Sequence, residues 1–135
     1  MALQVELVSP ERVLYSGEAD TVVARTVGGG DIAFLSGHAP FLGALQIAGM
    51  QIHESGGEVK HIAVHGGFVE VSHDKVTILS DVSEHQKDID VRRAQAARDR
   101  ARGALDEDEG DAAAAAALAR SLLRLRTAGA DETPV

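Results

Sequence analysis

The sequence predicts a mixed fold, β structure first and α structure second: a flattened β-sandwich or barrel, then an antiparallel two-helix hairpin. Three observations carry this expectation. Up to about residue 86, apolar runs are short and punctuated by glycine and acidic turn residues, as in antiparallel sandwiches and barrels. From Val91 onward, apolar residues recur at spacings of three and four, the period of a helix face. The composition also changes near Asp88. Residues 1–88 hold 5 basic and 12 acidic residues and all six histidines, whereas residues 89–135 hold 8 basic and 9 acidic residues and the unbroken alanine run 112–117. The expected organisation is a β-sandwich domain over 1–86, a helical hairpin domain over 87–128 and a flexible tail over 129–135.

Taken in order, Gln4-Val5-Glu6-Leu7-Val8 alternates polar and apolar side chains, the period of a half-buried strand. Val13-Leu14-Tyr15 and Thr21-Val22-Val23-Ala24 read as two further strands, separated by Gly17 and acidic turn residues. Gly28-Gly29-Gly30 breaks the chain before Ile32-Ala33-Phe34-Leu35, which Ser36-Gly37 ends. Residues 45–47 and 50–53 flank Gly49 as separate strands, and Gly56-Gly57 reads as a hairpin turn. Runs 59–64, 68–71 and 76–79 complete the β series.

Asp88 or Asp90 can cap the first helix. Val91, Ala94, Ala97, Ala101 and Leu105 share one of its faces, and Arg92, Arg93, Arg98, Arg100 and Arg102 lie on the same helix. Gly103 weakens the end of that helix by about 1 kcal/mol relative to alanine. Asp106-Glu107-Asp108-Glu109 then places anions where the helix dipole disfavours them. Gly110 breaks the chain and Asp111 can cap the second helix. This helix runs through the alanines, the best helix formers, to Leu118, Leu122, Leu123 and Leu125, with Arg120, Arg124 and Arg126.

Composition excludes several classes of function. Hydrophobic residues make up 44% of the 135, enough for a core. Aromatics are 3%, too few for a base-stacking platform. The formal net charge of −8 has the wrong sign for a general nucleic-acid binder. The absence of cysteine removes disulfides, thiolate zinc sites and cysteine nucleophiles. Residues 1–8 carry no basic region or long apolar stretch, so no secretory signal is expected. Residues 32–52 lack Asp, Glu, Lys and Arg. Their glycines and Pro40 nevertheless suit strands and turns better than the roughly 20 apolar residues of a spanning helix. The expectation is a soluble, intracellular chain.

Catalytic chemistry is not evident. Gly28-Gly29-Gly30 lacks the Lys-Ser/Thr of a phosphate loop, and Gly66-Gly67 sits between strands. Ser72-His73-Asp74 holds triad residue types, but as immediate neighbours, which reads as a turn. His61 and His65 share a strand face without a recognisable third ligand, so no metal is expected.

Several motifs occur together in a fixed order. They are Gly37-His38-Ala39-Pro40-Phe41-Leu42, Gly49, Gly66-Gly67-Phe68-Val69-Glu70-Val71, Val76-Thr77-Ile78-Leu79-Ser80-Asp81 and Ile89-Asp90-Val91-Arg92-Arg93-Ala94. Followed by an alanine- and arginine-rich helical pair, they make residues 3–126 resemble the epsilon subunit of bacterial F-type ATP synthases. Ala33, where that family commonly has glycine, the acidic linker 106–109 and the six-alanine run depart from its pattern.

The resemblance implies a sandwich of about ten short strands and a helical pair. It implies a non-catalytic subunit of the central stalk of a proton-translocating enzyme, bound to gamma and to the c-subunit ring. The subunit would sit peripherally on the cytoplasmic face of the bacterial cell membrane, touching the membrane only through the complex. The helical pair would extend toward the alpha and beta subunits and inhibit ATP hydrolysis, with Arg120, Arg124 and Arg126 meeting an acidic segment of the beta subunits. Asp31 and His38 fall in the loop region that would face the c ring. No cofactor is required, but ATP is implied as a regulatory ligand. Ile89, Asp90, Arg93 and Ala94 match the family's nucleotide motif, Arg100, Arg120 and Arg124 its further arginines, and Glu84 its adenine-side acid. Arginine pairs phosphate bidentately, and a carboxylate accepts from an exocyclic amine. The alternatives are a stand-alone ATP-sensing module using the same arginines, and a solvated arginine face with Asp90 as a plain helix cap.

Overall fold

The computed structural model describes residues 2–130. The chain divides into two compact units, Met1–His85 and Gln86–Val135. The first is all β. Among the described residues it has seven strands: β1 (Leu3–Val8), β2 (Val13–Thr26), β3 (Gly30–Leu35), β4 (Phe41–Glu54), β5 (Val59–Ser72), β6 (Lys75–Leu79) and β7 (Ser83–His85). Their order is β1-β6-β5-β4-β2-β3, and β1 also pairs antiparallel with β2. That pairing closes β1, β6, β5, β4 and β2 into a ring, with β3 attached to β2 and β7 to β5. The result is the flattened barrel that the turn-rich sequence predicts.

The strands are fewer and longer than expected. β2, β4 and β5 each run for 14 residues. The sequence predicts two short strands for each, broken at Gly17, at Gly49 and between runs 59–64 and 68–71, whereas in the structure the hydrophobic alternation changes phase midway along one strand. In β2 the buried positions pass from Ala19 to Val22 and Ala24, across register shifts at 19/21 and 23/26. In β4 they pass from Leu45 to Ala48, Met50 and Ile52, and in β5 from Ile62 and Val64 to Val69 and Val71. A strand whose alternation slips by one residue turns its other face inward. Each long strand therefore bends and serves the core with opposite faces of its two halves.

In β5 the bend falls at Gly66 and Gly67, with φ of 85° and 133°. A Cβ on Gly67 would stand 2.1 Å from the Leu79 carbonyl oxygen, so no other residue fits there. The buried Ser80 hydroxyl donates to the Gly66 carbonyl at 2.7 Å and holds the bend. The core inside the ring includes Leu3, Val5 and Leu7 of β1, Phe34 of β3, Ile62 of β5 and Val76 and Ile78 of β6. Burial of each large side chain contributes about 1.5–3 kcal/mol.

The second unit begins with a 3₁₀ turn, Gln86–Asp88, followed by α1 (Val91–Glu107) and α2 (Ala112–Ala128), which pack as a hairpin. Asp90 is the N-cap of α1 and accepts from the Arg93 backbone N–H at 3.1 Å. Asp111 caps α2 through the Ala114 N–H at 3.0 Å. Gly129, left-handed at φ 76°, closes α2, and the Ala130 N–H returns to the Leu125 carbonyl. α1 continues four residues past Gly103, so that glycine lies inside the helix rather than at its end. Asp108 forms the C-cap of α1. Of the tail expected over 129–135, residues 131–135 lie outside the described residues. No helix among the described residues is long and apolar enough to cross a membrane. Residues 32–52 form most of β3 and β4.

Candidate functional site

In the β unit, Asp31 lies near the start of β3, directly across from Arg25 of β2. The pair is a fork: Arg25 Nε donates to one Asp31 oxygen at 3.0 Å and a terminal nitrogen to the other at 3.2 Å. The Arg25 hydrogen bonds hold the Asp31 carboxyl below the usual carboxylate range and raise the guanidinium. His38 lies past the other end of β3. Its N–H closes a turn onto the Leu35 carbonyl at 3.0 Å, and its Nδ1 donates to the Ala39 carbonyl at 2.7 Å. The His38 ring stands edge-on to buried Phe34, with centroids 5.0 Å apart. About 13 Å of strand separates Asp31 from Leu35, so the two candidate contact residues mark opposite ends of β3.

The proposed nucleotide residues divide between the units. Glu84 belongs to β7, in the β unit, and its carboxylate lies 3.1 Å from Nε2 of His65, a side chain only 3% exposed. His65 is thus engaged with an acid rather than sharing a ligand set with His61. Among the described residues no group of three His, Cys, Asp or Glu could hold a metal ion.

The remaining nucleotide residues lie in the helical unit. Ile89 and Ala94 are buried, and Asp90 is occupied as a cap. Arg93 and Arg100 are both exposed and seven residues apart, which aligns them on one face of α1. Arg120 and Arg124 are half-buried, one turn apart on α2, and Arg126 is exposed with Nε near the Leu122 carbonyl. Arg98, grouped with the other arginines in the sequence, is 1% exposed and pairs with Asp99 at 2.9 Å.

One surface was not legible in the sequence. Ala44 faces Phe68, Phe68 faces Leu79, and Leu79 lies beside Val8, making an apolar row across β4, β5, β6 and β1. Phe68 is 55% exposed and Leu79 51%, and Leu42, two residues from Ala44, is 72% exposed. Beside the row is a cleft of about 300 Å³ between the ends of β1 and β6 and the bend in β5. Together these side chains form an exposed apolar patch on the outer surface of the sheet. The signal would have been cross-strand register, which a single sequence does not carry.

A closed β-sandwich with an exposed apolar row, followed by a capped helical hairpin, defines a two-part architecture, β then α. Residues 2–86 match the family model described as ATP synthase, Delta/Epsilon chain, beta-sandwich domain, and residues 87–129 match the long alpha-helix domain of the same chains. The chain belongs to the ATP synthase delta/epsilon family. It is 47% identical to the ATP synthase epsilon chain of Brevibacillus brevis over 78% of this chain and 79% of that one. It is 41% identical to the epsilon chain of Streptomyces avermitilis over 95% and 96%. A chain in the cryo-EM structure of the Euglena gracilis mitochondrial ATP synthase shares the fold, with a TM-score of 0.71, 19% identity and coverage of 92% of this chain and 75% of that one.

Proposed function

We propose that this chain is the non-catalytic central-stalk subunit of a proton-translocating F-type ATP synthase. It joins gamma and the c ring to the catalytic head, and the helical hairpin regulates ATP hydrolysis. The observation that carries this reading is the order and extent of the two family domains, which together account for residues 2–129. The physics agrees with it. A rotor coupler must transmit torque without deforming, and a close-packed closed sheet is stiff. The Leu42, Phe68 and Leu79 face offers gamma an apolar surface, and the 36–40 loop with His38, together with Asp31, offers contacts to the c ring. Arg120, Arg124 and Arg126 supply positive charge for an acidic surface on the beta subunits, a salt-dependent attraction. The chain then works on the cytoplasmic face of the bacterial membrane, held there by the complex.

The test is co-purification of the tagged chain with gamma and the c ring, with ATPase activity measured for the full chain and for one ending at Asp88. Both assemble, and the shortened chain gives faster hydrolysis. Equal rates remove the regulatory role, and failure to co-purify removes the stalk assignment.

A second reading, ATP binding at the hairpin, is favoured by Arg93, Arg100 and Arg120. Their side chains make no ion pair among the described residues, which leaves them free for phosphate. Calorimetry of the isolated chain decides it: heat that Arg93→Ala abolishes supports the site, and no heat at roughly millimolar ATP removes it.

A further inference from the structure

The turn between β5 and β6 carries side chains where glycine is favoured. Ser72 and Lys75 pair directly, leaving His73 and Asp74 as the two central residues, and both have positive φ, 51° and 59°. This is type I′ geometry, for which Asn-Gly and Gly-Gly are the preferred sequences. Histidine and aspartate tolerate the left-handed region better than most side chains, but at a cost glycine escapes.

Asp74 supplies a carboxylate that glycine lacks. One of its oxygens accepts the Gly37 backbone N–H at 2.7 Å, and the other accepts the Ser36 hydroxyl at 3.2 Å. Both donors belong to the loop between β3 and β4. A carboxylate bonded to a backbone N–H is shorter and stronger than a neutral pair. The turn itself is moored separately, because the Asp74 carbonyl accepts from the Gln4 N–H of β1 at 2.8 Å. That mooring does not depend on the side chain. The carboxylate therefore acts outward, on the loop that presents His38 against Phe34 and Phe41.

We propose that Asp74 is the positioning residue of the β3–β4 loop: its two-oxygen clamp on Ser36 and Gly37 holds the His38 ring in place for docking on the c ring. The docking half rests on the c-ring reading above, while the clamp stands on the geometry of the β unit alone.

The test uses the full chain with Asp74→Gly and Asp74→Asn. Glycine removes the clamp while suiting the turn, so a merely structural turn residue predicts an unchanged or higher Tm and unchanged amide exchange at Gly37. The clamp predicts exchange at Gly37 roughly tenfold faster or more, with no fall in Tm. Asparagine, which tolerates the left-handed region and keeps an oxygen acceptor for the Gly37 N–H, restores most of the protection. Unchanged Gly37 exchange in Asp74→Gly overturns the clamp.

The second arm measures affinity for purified c ring in detergent, alongside His38→Ala. Several-fold weakening in both Asp74→Gly and His38→Ala supports positioning. Weakening in His38→Ala alone overturns the positioning role of Asp74. If neither variant changes affinity while Gly37 exchange accelerates, the docking half and the c-ring reading fall together, and the clamp survives.

Discussion

The two units of the chain bury different materials. The β unit fills its interior with Leu3, Leu7, Met50, Ile52, Ile62, Ile78 and Phe34, all at or near zero exposure. Three of the eight buried positions among the described residues of the helical unit are alanine, namely Ala94, Ala101 and Ala114. Ile89, Leu123 and Leu125 are its buried large apolar side chains, and Arg98 and Ser121 its buried polar ones. Alanine removes little area from water. Helices in proteins draw most of their stability from packing, so this pair of 17-residue helices leans on its caps and its few buried large side chains. The comparison teaches that large buried side chains are concentrated in the β unit, so the helical unit is expected to be the less stable of the two. A unit held by few large side chains changes state for a modest ligand or partner energy.

The sharpest way to break this contrast is at Phe34. Phe34→Ala opens a cavity in the β core and should cost about 3–5 kcal/mol, read as a drop in the urea midpoint of the sheet signal. A cost under about 1 kcal/mol would mean the core is not close-packed there. Leu125→Ala comes next, at about 2–3 kcal/mol. Its effect should appear as lost helical protection, with the unfolding of the β unit unchanged. Asp90→Ala removes the α1 cap and should lower hairpin stability by about 1 kcal/mol, visible in helicity.

The smallest expected effect is alkaline. Burial and the hydrogen bond to Glu54 push the Tyr15 phenol above its usual range. A raised acid stabilises the fold fully below its unfolded pKa of about 10, and that contribution is lost as pH rises through the folded value. Stability of the β unit should therefore fall above about pH 10, and Tyr15→Phe should flatten that slope.

Much of this was legible along the chain because it is local. The alternation of 4–8, the caps Asp90 and Asp111, and the 72–74 turn each depend on neighbours in sequence. What was not legible depends on residues brought from far away. β2, β4 and β5 looked like pairs of strands because a bend that reverses the inward face mimics a strand break. Asp74 was readable as a turn residue, but its partners at Ser36 and Gly37 are 38 and 37 residues distant. The apolar row from Ala44 to Val8 is a property of four aligned strands, and none of its members looks unusual in its own segment. Arg98 carries the same residue type as its exposed neighbours on α1, so only the fold reveals its burial.

The contrast between the units is tested most directly by native-state amide hydrogen exchange of the full chain, followed as urea is raised below the unfolding midpoint. The account predicts that amides of α1 and α2 exchange through an opening well below the global unfolding energy, while Ile62 and Val64 in β5 stay protected until the whole β unit unfolds. Exchange of both sets at one common free energy and urea dependence would contradict it, because the chain would then be a single cooperative body with no separately yielding hairpin.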